Sequence, residues 1–274
     1  MVLQREKQQE ALVLESNPKY LGFKSLEVVE VDETKPWKPA KTVKVTLANG
    51  KEEVIDANTA FFTFVDKDLK NVVVTAAVAG HIKELHIDGK DAGSLFSEHH
   101  SLEELMLDVE SKLPEDLAVK SGVQAFSVEM NKPMGKEGLA SMQELLAAKQ
   151  IEESDWKIIE AVRSEVYELN RAGTDEARQA FVEDFKSKNL ACKIQFQVVR
   201  GKVLVPVFKG QKQDTTKLFM VFGPDANGEK SMYTAAPGRN MPRHPNPAQF
   251  GSEEPKEAFE ESLKAWFETA MLIQ

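Results

Sequence analysis

The chain has 274 residues, of which 42% are hydrophobic and 29% charged, and these are the proportions of an ordinary globular protein. No apolar run approaches the roughly 18 residues that span a bilayer, and the first residues are too charged for a signal peptide. With a single cysteine, Cys192, no internal disulfide can form. We therefore expect a soluble, cytoplasmic protein without a membrane partner.

The formal net charge of −9 is unevenly distributed. Residues 190–250 contain nine Lys and Arg against three Asp and Glu, a net of +6, which leaves −15 for the rest of the chain. An acidic protein is a poor general binder of nucleic acid, so we expect no extended DNA binding. The basic segment can still form a local anion site. Alternatively, it pairs with acidic surface of the N-terminal part.

In chain order, the first 40 residues are predicted to be irregular and residues 41–91 to form an antiparallel meander. Asn49–Gly50 is a strong hairpin signal, because both residues of a type I′ turn need positive φ. Residues 59–80 predict a second hairpin, with its turn at residues 66–71. Residues 81–91 predict a short strand that ends at Asp88–Gly89.

Helical signals follow. Ser101 with Glu104 forms a capping box that begins a helix, and Ser141 with Glu144 forms another. Residues 154–173 predict one long amphipathic helix, because their apolar residues recur at helical spacing.

Thr174 is predicted to cap the next helix. After Asn189 the pattern returns to strands, with a hairpin at Asn227–Gly228, and residues 255–273 predict a final helix.

Strands that are grouped, and do not alternate with helices, indicate an α+β fold. We expect antiparallel sheets, a central run of amphipathic helices and a C-terminal helix. A mainly β module over residues 1–95 would precede an α+β domain over residues 96–274. A single continuous domain is the alternative.

The sequence lacks the motifs of the common enzyme classes: the phosphate-binding P-loop, the dinucleotide-binding glycine fingerprint, HExxH, CxxC and GxSxG. His81, His86, His99 and His100 are close in sequence, but their spacing does not match that of zinc ligands. On a strand, His81 and His86 would point to opposite faces. The sequence therefore predicts neither a metal site nor a cofactor.

The segment YTAAPGRNMPRHPNPAQFG, residues 233–251, is the best candidate for a functional site. It holds four of the twelve prolines, which restrict φ and favour a pre-ordered loop. Arg239 and Arg243 offer forked donors suited to phosphate or carboxylate, His244 can exchange a proton near neutral pH, and Thr234 adds a hydroxyl. These four are the predicted catalytic residues, because a histidine and guanidiniums are the ingredients of metal-independent phosphodiester cleavage.

Four more residues are predicted to bind the ligand. Tyr233 adds a second hydroxyl, and Gly238 allows a ligand to approach closely. Lys132 and Lys136 lie in a glycine-containing loop before a capped helix, where backbone amides and lysines favour an anion. The alternatives are a plain connector for that loop and, for residues 233–251, a structural loop paired with acidic surface.

The sequence thus favours a protein that binds a phosphate-bearing ligand, a nucleotide or RNA, at the basic proline-rich loop. Whether the ligand is also processed stays open, because no general base partner for His244 can be identified. The alternative function is that of a non-catalytic adaptor or inhibitor whose acidic N-terminal part meets a basic protein partner.

Overall fold

The computed structural model describes residues 15–16, 18–20, 22–34, 39–66, 70–89, 93–96, 101–117, 122–199, 203–225, 227–240, 242 and 256–273. Contacts divide the chain into two compact units. Unit 1 comprises residues 1–136 and 214–240, and unit 2 comprises residues 137–213 and 241–274. A module over residues 1–95 that folds independently stays a prediction.

Strands dominate unit 1. They are β1 Glu15–Ser16, β2 Ser25–Val31, β3 Ala40–Thr46, β4 Glu52–Asp56, β5 Ala60–Val65, β6 Asn71–Thr75, β7 Leu95–Phe96, β8 Gln124–Glu129, β14 Lys217–Pro224 and β15 Lys230–Pro237. The main sheet has the order β1-β5-β6-β15-β14-β8, and a smaller antiparallel sheet has the order β2-β3-β4. Two short strands, β9 Gly135–Glu137 and β13 Gln213–Thr215, form a third sheet with β7 in the order β13-β9-β7.

The predicted hairpins of unit 1 are present. β3 and β4 pair around Gly50, whose φ is +87°, and β5 pairs with β6. Asn49 does not have the positive φ that a type I′ turn requires, so the hairpin is present with a different turn. The first 40 residues were predicted to be irregular, but Ser25–Val31 forms β2 and pairs with β3. Leu26 turns into the core, whereas Val28 and Val29 are more than half exposed, so pairing with β3 accounts for the strand better than an alternation of buried residues does.

The prediction of a strand over residues 81–91 is wrong. Helix α1, Ala76–His81, continues into a π-helical segment, Ile82–Ile87. The Thr75 hydroxyl accepts a hydrogen bond from the Val78 N–H and caps the helix. Buried residues then recur every three positions at Ala76, Ala79 and Ile82, which is a helical spacing. Helix α2, Leu102–Ser111, follows with the predicted capping box at Ser101.

Unit 2 combines helices with one sheet. Its elements are β10 Leu139–Ser141, α3 Met142–Ala147, α4 Glu153–Ala161, α5 Arg163–Ala172, α6 Asp175–Lys188, β11 Ile194–Val199, β12 Val203–Lys209, α7 Lys256–Phe267 and β16 Thr269–Ile273. The sheet order is β10-β16-β12-β11, with β12 and β16 parallel. A core that includes Phe181, Phe185, Phe196 and Phe267 joins the helices to this sheet.

Two helix predictions in unit 2 need correction. The single helix predicted over residues 154–173 is broken at Val162, whose φ of −103° and ψ of 3° separate α4 from α5. The final helix ends at Phe267, and residues 269–273 form β16 with a buried residue at every second position. The caps predicted at Ser141 and Thr174 are present.

Grouped, mostly antiparallel strands with separate helices confirm the predicted α+β fold and its C-terminal helix. Among the described residues, no helix is both long and apolar enough to cross a membrane.

Candidate functional site

Six of the eight predicted site residues fall within the described ranges. Tyr233 and Thr234 lie on β15, Gly238 and Arg239 follow that strand directly, and Lys132 and Lys136 lie before and within β9. Arg243 and His244 are outside the described residues. Their predicted roles stay predictions.

Tyr233 occupies a β-bulge. Val221 pairs with Thr234 and Phe222 with Met232, so Tyr233 is the extra residue on β15. Its ring covers Gly223, where a Cβ atom would lie 2.6 Å from the ring. The phenol donates a hydrogen bond to the Pro224 carbonyl, and burial, with a smaller effect of nearby Asp225, raises the pKa of Tyr233. The hydroxyl is therefore held at the hairpin end of β14.

Gly238 is anchored at the opposite end of β14. Its N–H donates to the Lys217 carbonyl at 2.8 Å, and its own carbonyl accepts from the Ser127 hydroxyl at 3.1 Å. Its φ of +111° is a conformation that favours glycine. Because Tyr233 contacts Pro224 and Gly238 contacts Lys217, their partners are about 23 Å apart along the strand at 3.3 Å per residue. The structure does not bring the tyrosine hydroxyl and Gly238 together.

Thr234 and Arg239 are both half-buried. The Thr234 Oγ1 atom is buried and has no hydrogen-bond partner among the described residues. This hydroxyl reaches a ligand only if the side chain rotates.

Lys132 and Lys136 each lie beside a carboxylate. Lys132 Nζ is 2.8 Å from Asp108 Oδ2, and Lys136 Nζ is 3.3 Å from Asp214 Oδ1. Between them, Gly135 has a φ of +144°, and a Cβ atom there would lie 2.0 Å from the Leu95 carbonyl oxygen. This glycine is explained by the close approach of β7, so the geometry favours the connector alternative for this loop.

A cavity in unit 2 gathers residues that the sequence did not single out together. Its volume is about 470 Å³, within the range of roughly 300–1,000 Å³ that is usual for small-molecule sites. Three lysines line it: Lys186 from the last turn of α6, Lys193 from the turn before β11, and Lys209 at the end of β12. We call this the lysine cavity.

The lysine cavity has little negative charge to neutralise it. Lys193 Nζ lies 4.0 Å from Glu152 Oε1, at the edge of ion-pair distance. Within the described ranges, neither Lys186 nor Lys209 forms an ion pair with a carboxylate. By contrast, Lys188 on the same helix bonds to Asp184 at 2.8 Å, and this hydrogen bond raises the pKa of Lys188. The cavity therefore presents a positive potential to an incoming ligand.

The turn that carries Lys193 is held firmly. Gln195 Nε2 donates to the carbonyls of Asn189 and Cys192 at 3.1 and 2.9 Å. Asp155 Oδ1 accepts the Lys193 N–H at 3.1 Å, and the Cys192 thiol lies 4.0 Å from the Asp155 carbonyl oxygen. These bonds form the turn before any ligand arrives, as is usual for small-molecule sites.

The remaining surface of the lysine cavity is largely apolar. Phe208 and Cys192 are buried, whereas Leu190 is 79% exposed. Gly210 makes room for the Phe208 ring, since a Cβ atom there would lie 2.3 Å from it. Burial raises the pKa of the Cys192 thiol to about 11, so the thiol stays protonated at neutral pH and is a poor nucleophile.

The histidines that the structure describes do not form a metal site. His81 and His86 were predicted on opposite faces of a strand, but on the helical segment their ring centroids are 5.7 Å apart. Across the described ranges, no group of three or more His, Cys, Asp and Glu side chains could hold a metal ion. His99 and His100 lie outside those ranges.

Comparisons with protein families, curated proteins and solved structures found no match to this chain. The function is therefore argued from geometry and charge.

Proposed function

We propose that the protein binds a small phosphate-bearing ligand, such as a nucleotide, in the lysine cavity. One observation carries the proposal: Lys186, Lys193 and Lys209 line a single cavity of about 470 Å³, and two of them form no ion pair among the described residues. An ammonium group binds phosphate as a point charge and makes strong, charge-assisted hydrogen bonds. A ligand that meets three such groups neutralises them together.

The proposal is one of binding. Among the described residues that line the cavity there is no histidine, aspartate or glutamate, and the one thiol is protonated. General acid–base catalysis most often uses a histidine or a carboxylate, and these residues supply neither. Processing of the ligand belongs to the competing hypothesis, in which Arg239, Arg243 and His244 of the proline-rich loop form the site.

Titration calorimetry with pyrophosphate tests the cavity. The variants are Lys186→Gln, Lys193→Gln and Lys209→Gln, and the matched control is Lys188→Gln on the same helix. All three lysines are exposed, so water offsets part of each charge-assisted hydrogen bond. With about 1–1.5 kcal/mol left per contact, each cavity variant should weaken binding about five- to tenfold. The triple variant should abolish binding, and the control should bind as the wild type does.

The same titration distinguishes binding in the lysine cavity from binding at the proline-rich loop. Arg239→Gln, Arg243→Gln and His244→Gln should leave pyrophosphate affinity unchanged if the lysine cavity is the site. If these variants weaken binding and the lysine variants do not, the ligand binds at the loop. If the wild type binds no pyrophosphate at millimolar concentration, the proposal is wrong.

A second candidate function is the interaction protein with a basic partner. The sheet β2-β3-β4 favours it, because Val28, Val29 and Val54 are each more than half exposed. Glu27 and Glu52 of this sheet both lie within ion-pair distance of Lys44, so a basic partner would compete with that lysine. A pull-down at low salt tests this surface. A partner that binds the wild type and is lost with Val54→Ser supports the function; no partner at low salt argues against it.

A further inference from the structure

The lysine cavity is lined by two chemically different sets of residues. Three are lysines, and four, Leu190, Ala191, Cys192 and Phe208, offer apolar surface. An inorganic phosphate would use only the lysines. A ligand that fills the cavity must also present an apolar surface.

Leu190 is the clearest sign of an apolar contact. Single exposed leucines are common on protein surfaces and need no explanation by themselves. Leu190, however, lies in the turn that Gln195 holds through the carbonyls of Asn189 and Cys192, and this turn also carries Lys193. A leucine displayed at a fixed position loses little conformational freedom when a ligand covers it.

Two glutamine side chains of the lining have an oxygen that accepts no hydrogen bond from the described residues. Gln150 and Gln195 both line the cavity, and the Oε1 atom of each is buried without a hydrogen-bond partner among the described residues. The Gln195 amide is fixed, because its Nε2 already donates to two carbonyls. The side chain of Gln150 forms no hydrogen bond within the described ranges, so its amide can turn and offer Oε1 to a ligand N–H.

We infer that the ligand of the lysine cavity is a mononucleotide: the lysines bind its phosphate, Leu190 and Phe208 pack against its base, and Gln150 accepts an N–H from the edge of the base. This inference rests on the proposed function. Every nucleobase combines a flat apolar face with N–H donors on its edge. The face matches Leu190 and Phe208, and the N–H donors match the Gln150 oxygen. The cavity volume of about 470 Å³ suits one such molecule.

Calorimetry with two matched probes, AMP and ribose 5-phosphate, tests the inference on the full-length protein. The probes share sugar and phosphate and differ in the base. AMP should bind at least tenfold more tightly. Leu190→Ser should weaken AMP about five- to tenfold and leave ribose 5-phosphate unchanged, because only the base covers the leucine. Gln150→Leu should weaken AMP severalfold.

Leu107→Ser is the control variant for Leu190→Ser. Leu107→Ser changes another leucine that is more than half exposed, on α2, and should alter neither affinity. If AMP and ribose 5-phosphate bind equally and Leu190→Ser affects neither, the base is not recognised and the inference is wrong, although phosphate binding stands. If neither probe binds, or Lys209→Gln leaves AMP affinity unchanged, both proposals are wrong.

Discussion

Asp155 connects helix α4 to the turn that carries Lys193, and its removal is the sharpest test of how the lysine cavity is held. The residue is 6% exposed. Its Oδ1 accepts the Lys193 N–H at 3.1 Å, and its Oδ2 accepts the Glu152 N–H at 2.9 Å. One carboxylate therefore fixes the start of a helix and one wall of the cavity.

The expected loss of stability follows from these two hydrogen bonds. A hydrogen bond to a charged group contributes about 1.5–3 kcal/mol. Both backbone donors are only partly buried, so water replaces part of the loss, and Asp155→Ala should cost unit 2 about 3 kcal/mol. Asp155→Asn keeps the size and one acceptor oxygen, so it should cost about half as much.

Urea unfolding followed by tryptophan fluorescence measures the loss. Trp156 and Trp266 both belong to unit 2, and a Trp37→Phe background makes the signal specific to that unit. With a denaturant slope of about 2 kcal/mol per molar, Asp155→Ala should lower the midpoint by about 1.5 M. Asp184→Ala, which removes an exposed partner of Lys188, should change stability by less than about 1 kcal/mol.

Two outcomes would refute this reasoning. A midpoint for Asp155→Ala within about 0.3 M of the wild type would show that the two hydrogen bonds do not hold the turn. Equal losses in Asp155→Ala and Asp155→Asn would show that the acceptor oxygen that asparagine retains contributes nothing.

Two further predictions concern titratable groups. With a pKa of about 11, Cys192 should be about one-thousandth thiolate at pH 8 and should react with a disulfide reagent over a hundredfold more slowly than an unfolded thiol; equal rates would contradict its burial. Burial lowers the pKa of His86 and outweighs the opposing effect of the hydrogen bond that Nδ1 donates to the Ser94 carbonyl at 2.8 Å, so the folded state favours the neutral ring. Stability is then present above the unfolded pKa of about 6.5 and is lost as the pH falls through the folded pKa. In His86→Phe the difference in unfolding free energy between pH 7.5 and 5.5 should shrink; a difference as large as that of the wild type, or as that of His81→Phe, would refute the role.

The parts of the fold that the sequence predicted are those with local causes. Ser101 and Glu104 are three residues apart and satisfy each other's backbone donors within one helical turn. Gly50 needs only its own φ angle to form a hairpin turn. Capping boxes and glycine turns involve only a few neighbouring residues, so they depend little on contacts with the rest of the chain.

The wrong prediction for the end of the chain falls where the partners are distant in sequence. Thr269–Ile273 continues an apolar helical pattern, but it pairs with Leu139–Ser141 and with the end of β12, which lie about 60 to 130 residues earlier. Ladder hydrogen bonds to those strands outweigh the local preference, as tertiary context often does. Helix Ala76–His81 is a different case, because its cap is the local hydrogen bond from the Val78 N–H to the Thr75 hydroxyl, a signal that the sequence prediction did not use.

The lysine cavity was beyond prediction for a related reason. Lys186, Lys193 and Lys209 come from a helix, a turn and a strand, and no fixed spacing connects them. The one available signal was the net charge of +6 over residues 190–250, which contains two of the three. The charge pattern indicates the region around residues 190–250, but only the folded structure shows which lysines line one cavity.

The loop with Lys132 and Lys136 differs from the lysine cavity in whether a carboxylate competes with the anion for each lysine. A phosphate that approaches Lys132 must displace Asp108, whose oxygen is 2.8 Å away, and one that approaches Lys136 must displace Asp214. At Lys209 no carboxylate ion pair opposes it within the described ranges, so the phosphate replaces water alone. Two unit charges about 4 Å apart at a protein surface attract by about 4 kcal/mol before desolvation, and a ligand at Lys132 forfeits much of that gain. We therefore propose the lysine cavity over the loop, because two of its three lysines form no carboxylate ion pair among the described residues.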